Sequence, residues 1–184
     1  QRKGPVQYAV TYLVSILSRT QNELTLRIPF AIAGILSVFV LYFLVRELYG
    51  QKVAAVSSFL FSVNGFFVAF SRIVQYQSFN YLFYLSALYF FVLLNRYRQI
   101  KYLYFGSFFL ALGILTHYDA VFVILPSAYF VFSWMKKSAD LKAWKHIVMS
   151  SLLFTLLVSI FYVPFFLYPS FSSDNKDYLF TNQP

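Results

Sequence analysis

Seven apolar runs separated by short polar breaks dominate this 184-residue chain, and they require a solvent that is largely lipid. The runs cover 5–17, 28–45, 53–70, 79–94, 102–116, 120–135 and 146–168. A hydrocarbon core about 30 Å thick takes about 20 residues of helix to cross, within a range of about 17 to 25. Runs two to seven therefore predict six membrane spans, three of them on the short side. Helix is expected over barrel, because backbone in lipid must satisfy its own hydrogen bonds and the runs lack the two-residue alternation of barrel strands. With 60% hydrophobic and 11% charged residues, and a mean hydropathy of +0.65, too little polar surface remains for a soluble domain. The expected architecture is all-α: one polytopic, membrane-embedded helix bundle over 1–184.

The first run differs from the others. Gln7, Thr11, Ser15 and Ser18 follow at spacings of four, four and three, which puts a polar stripe on one face of a helix. About 13 residues are short for a span, and Arg2, Lys3 and Arg19 flank the run. The reading is a juxtamembrane helix within 1–27, with a short tilted span at the edge of the bundle as the alternative. Residues 28–168 then form the transmembrane helices, and 169–184 begin a loop. The chain starts at Gln1 with its first run opening at Pro5, as expected of a piece of a longer protein, and no cleavable signal-peptide pattern precedes that run. Cysteine is absent, which removes disulfides, thiolate metal sites and cysteine nucleophiles from this stretch.

Fifteen Lys and Arg against six Asp and Glu give a net charge of +9. In a membrane chain such residues mark topology, so nucleic acid is not an expected partner. Alternating spans from residue 28 place nine cations on one side: Arg46, Lys52, Arg96, Arg98, Lys101, Lys136, Lys137, Lys142 and Lys145. The other six, Arg2, Lys3, Arg19, Arg27, Arg72 and Lys176, fall on the opposite side. The positive-inside rule puts the first set in the cytoplasm, and leaves 1–27, 71–78, the break at 116–119 and the tail from 169 outside.

The outer breaks carry the unusual chemistry. In Ser71-Arg72-Ile73-Val74-Gln75-Tyr76-Gln77-Ser78 an arginine is followed by hydrogen-bonding side chains between two spans. The residues fit two readings equally: an arginine snorkelling to the headgroups beside a turn, or an anion site, since a guanidinium matches phosphate oxygens. In Thr116-His117-Tyr118-Asp119, Asp119 is expected as a helix N-cap, while His117 can carry a proton or, when charged, donate to a phosphate. His146 lies on the opposite side, so no metal site is expected. Asn64, Gly65, Pro126 and Pro164 read as packing or kink positions. Tyr81, Tyr84, Tyr89, Tyr102 and Tyr104 suit an interfacial belt, with Tyr8, Tyr12 and Tyr76 near enough to the outer breaks to stack on a sugar. Asp174 and Asp177, in the polar tail, read as solvated loop residues.

The succession GPVQYAVTYLV, ELTLRIPFAIAG, VRELYGQKVAAVSSFLF, FSRIVQYQSF and LALGILTHYDAVFVILP resembles the membrane core of the dolichyl-phosphate-mannose-protein mannosyltransferase-like family (glycosyltransferase family 39), a branch of the polyprenyl-phosphate-dependent, C-type glycosyltransferases that includes bacterial lipopolysaccharide enzymes. The resemblance implies an inverting transfer of a sugar from a polyprenyl-phosphate carrier to a protein or glycolipid acceptor, on the extracytoplasmic face of what its bacterial relatives suggest is a prokaryotic cell membrane. It implies substrate-binding roles for Lys3, Arg72, Gln77 and His117, lesser ones for Arg27, Tyr76 and Asp119, and a catalytic acid ahead of Gln1. Lys3-Gly4-Pro5 occupies the family's turn before the juxtamembrane helix, and Arg27 its brace between that helix and the next span. Gln77 stands where the family has an acidic residue, and an amide cannot neutralise a cation. No cofactor is thereby expected within this stretch, and a divalent cation is left to the full enzyme. The residues also fit a transporter or flippase-like protein that binds a lipid-linked sugar without chemistry, or a structural membrane subunit.

Overall fold

The computed structural model describes residues 4–18, 22–138 and 141–167. Lys3, Arg2, Arg19 and the tail with Asp174, Lys176 and Asp177 lie outside the described residues. Every regular element among the described residues is helical. In order these are α1 (Pro5–Leu17), α2 (Glu23–Tyr49), α3 (Gln51–Ser62), α4 (Gly65–Ser71), α5 (Gln77–Tyr97) and α6 (Lys101–Thr116). A 3-10 turn (Tyr118–Val123) leads into α7 (Ile124–Ser138), and α8 (Leu141–Leu167) follows.

Local chemistry sets most of the boundaries. Pro5 suits the first turn of α1, where its missing N–H costs nothing. Asn22 caps α2 by accepting from the Thr25 N–H at 2.8 Å, and Gly50 ends it at φ 88°, a conformation glycine adopts without strain. The run 53–70, expected as one span, is broken. The chain leaves α3 at Val63 and turns by 64° into α4, whose first turn is capped by Asn64 accepting from the Phe67 N–H at 3.1 Å. Among the described residues four helices are long and apolar enough to cross a membrane, or five if the bent pair counts as one span. The 16-residue α6 is about 24 Å long and falls short of a full span by length.

Contacts fix the directions. Phe30 meets Phe79 near the starts of α2 and α5, and Arg96 meets Glu47 near their ends, so the two run parallel. Asn95 and Lys137 join the ends of α5 and α7, while Tyr162 of α8 donates to the Ile114 carbonyl near the end of α6. α6 and α8 therefore run opposite to α2, α5 and α7, and α6 packs against α5 through Gly106, where a β-carbon would come within 2.7 Å of the Phe91 ring. α5 is the central helix, with Leu85, Ala87, Phe91, Val92, Leu93 and Leu94 buried. The outer helices keep apolar faces exposed: on α8, Leu152, Leu156 and Ile160 repeat every fourth residue. In water such a stripe is a liability, and in lipid it is the ordinary surface.

Candidate functional site

α1 docks by its polar face. Gln7 is buried and its side-chain N–H donates to the Val74 carbonyl at 3.2 Å, so α1 is tied to the loop between α4 and α5. Tyr8 and Tyr12 are 57% and 66% exposed. The N-terminus of α1 meets the C-terminus of α6 at Gly4, where an added β-carbon would lie 2.2 Å from the Leu115 carbonyl and 2.4 Å from that of Thr116. The approach sets helix ends of opposite partial charge against each other.

The two outer breaks come together at this end. Arg72 closes α4, and Gln75 turns tightly by donating its backbone N–H to Ile73 at 2.9 Å. Ser78 anchors the start of α5 to the Phe70 carbonyl at 3.2 Å. The turn delivers Tyr76 onto His117, ring on ring, with centroids 4.0 Å apart and planes within 6°. Tyr118 covers His117 at 4.1 Å. His117 is buried although it lies in a break between helices.

Asp119 is not the cap expected of it. Its backbone N–H points to His117 Nδ1 at 3.3 Å, making His117 the N-cap of the 3-10 turn, while its carboxylate lies 2.9 Å from the same nitrogen. One nitrogen cannot accept the first and donate to the second, and the shorter, charge-assisted contact favours Nδ1–H donating to the carboxylate. His117 Nε2 is then left without a partner among the described residues, as an acceptor in the neutral ring or a donor in the charged one. Burial first, and the Asp119 carboxylate second, push the Tyr76 phenol above its usual range, so it keeps its proton.

The remaining candidates separate. Arg72 is exposed and makes no ion pair or hydrogen bond among the described residues, which leaves its fork of donors open. Gln77 opens α5 with a buried Oε1 that has no partner among the described residues, and Asn80, one turn along on the same face, has a buried Oδ1 in the same condition. Neither Asn80 nor the docking of Gln7 was foreseen. Arg27 pairs with Glu23 of its own first turn, in place of the expected brace to α1. His146 lies at the other end, within 3.0 Å of the Tyr104 hydroxyl. No three His, Asp or Glu side chains gather among the described residues.

An all-helical, polytopic membrane protein with an open arginine and a buried histidine at one end of its bundle is the class that this geometry defines. The sequence pattern of the dolichyl-phosphate-mannose-protein mannosyltransferase family matches residues 2–163, and the chain belongs to that family of membrane glycosyltransferases. No curated protein and no solved structure matches it.

Proposed function

We propose that the protein transfers a mannose-like hexosyl or pentosyl group from a polyprenyl-phosphate carrier to a hydroxyl of a protein or glycolipid acceptor, on the extracytoplasmic side of a cell membrane. The observation that carries the reading is the meeting of two sequence-distant breaks, in which the unengaged Arg72 shares one end of the bundle with the aromatic-clamped His117. Membership of the family supports the reaction type, and the nine-to-six split of cations supports the sidedness.

In this reading the carrier phosphate lies against Arg72 and protonated His117, with Lys3 adding a third cation. The acceptor oxygen bonds to the anomeric carbon on the face opposite the phosphate. The carbon–oxygen bond to the phosphate breaks, its electron pair leaves with the polyprenyl phosphate, and the acceptor's proton passes to a carboxylate on a loop ahead of Gln1. Negative charge grows on the leaving phosphate, where positioned cations in a partly dry cleft act strongly. The partnerless oxygens of Gln77 and Asn80 suit sugar hydroxyls, which donate.

The test is a transfer assay in liposomes, using the full-length protein and polyprenyl-phosphate-linked radiolabelled mannose. Arg72→Ala should lower transfer by about 10²- to 10³-fold at unchanged expression. Undiminished transfer would remove Arg72 from the reaction. Passage of the labelled lipid across the bilayer without release of free polyprenyl phosphate would make the protein a lipid-sugar transporter.

A further inference from the structure

At the opposite end of the bundle α2, α5 and α7 enclose an open cleft of about 590 Å³. Its charged lining is Glu47, Arg96, Arg98 and Lys137, three cations against one carboxylate. Glu47 is spoken for: its side chain is only 8% exposed, and Arg96 Nη1 lies 2.7 Å from one of its oxygens and donates to its backbone carbonyl at 3.1 Å. Arg46 approaches the other oxygen at 3.7 Å. The excess charge is therefore that of Arg98 and Lys137. Lys137 is steered by a neutral partner, donating to Asn95 Oδ1 at 2.9 Å, while Asn95 donates to the Phe130 carbonyl at 3.2 Å. Arg98 makes no ion pair or hydrogen bond among the described residues.

Arg98 sits where glycine would be the relaxed choice. Its φ of 56° is the only positive value at a non-glycine residue among those described, and at the preceding turn on this end of the bundle Gly50 fills the corresponding cap. A side chain kept at such a position points to a use for it. The deeper wall of the cleft is apolar: Val92 and Phe130, the latter seven residues or about 10 Å of helix deeper than Lys137. A soluble anion has no use for that wall, but a lipid has, since its phosphate can meet the cations while its glycerol and first methylenes follow the wall inward.

We propose that this cleft binds the headgroup of an anionic phospholipid, through Arg98 and Lys137, between α2, α5 and α7. The site is separate from the His117 end and does not depend on the reaction assigned there. The more basic connectors lie at this end, and basic pockets between membrane helices on such a face suit anionic headgroups.

The test uses the full-length protein in neutral detergent, titrated with dioleoyl phosphatidylglycerol or dioleoyl phosphatidylcholine, with bound lipid counted by native mass spectrometry. Wild type should hold phosphatidylglycerol in preference to phosphatidylcholine, and Arg98→Gln with Lys137→Gln should weaken the former about thirtyfold. Arg98→Lys with Lys137→Arg, which has the same backbone cost but keeps the charge, should retain it. Equal retention of the two lipids, undiminished binding in the neutral double variant, or loss in the charge-preserving one would overturn the proposal. Full displacement of phosphatidylglycerol by inorganic phosphate would do so too, by making the site one for a soluble anion.

Discussion

His117 shows what a buried polar ring needs in order to be stable between membrane helices. Two aromatic faces cover it and one carboxylate satisfies Nδ1, so a single nitrogen is left to act. His117→Ala should lower sugar transfer by about 10²-fold or more, while His117→Phe, which keeps the stack, should preserve the melting temperature but not the transfer. A transfer assay beside a thermal melt separates the two. Tyr76 supplies a pH signature. Its phenol holds its proton to higher pH folded than unfolded, so its contribution is whole below about pH 10 and is lost as pH rises further. Tyr76→Phe should therefore flatten the fall of melting temperature above about pH 10, and an unchanged slope would show that the phenol does not contribute there. Arg72, Tyr76, His117 and Asp119 were legible in the sequence because polar side chains interrupting apolar runs are costly and so conspicuous. The bond from Gln7 to Val74 was not, since nothing local marks a pairing across 67 residues, and Gln7 was visible only as part of a stripe.

Helices were read from hydrophobic periodicity, and that signal is blind to direction changes inside a uniformly apolar run. Asn64-Gly65 carries the turn signal, yet with apolar residues on both sides it was assigned to a single span. What decides the matter is that Asn64 can satisfy a free amide of α4 in lipid, where no water would. Asn64→Ala should cost about 1 kcal/mol, measurable as a lower melting temperature in detergent. The docking of α1 rests on a different residue. Gly4→Ala sets a β-carbon against two backbone carbonyls that cannot step aside, so α1 should lift from α6 at a cost of about 1–3 kcal/mol. Faster trypsin cleavage at Arg19 would report the release; an unchanged rate would show that α1 is held without that contact.

Across the whole molecule the directions of five helices assign 71–78 and 116–119 to one end and 96–101 to the other, as the alternation of spans implied. Because this 184-residue stretch has no cysteine, a single substitution adds one label to it, read against the unsubstituted protein. Gln75→Cys and Gln99→Cys should react with a membrane-impermeant maleimide from opposite faces of sealed vesicles, the first from outside. Labelling of both from one face would contradict the alternation. The bend at Asn64 also sets a depth. Seven residues of α4 cover about 10 Å, and turned by 64° they advance less than half of that along the axis of α3. Arg72 is thereby drawn back about 6 Å along the axis of α3 relative to a straight helix. Under the proposed function, a guanidinium drawn back by that much would receive the lipid phosphate deeper than the end of a straight helix would allow, where the attraction between the two is less diluted by water and salt.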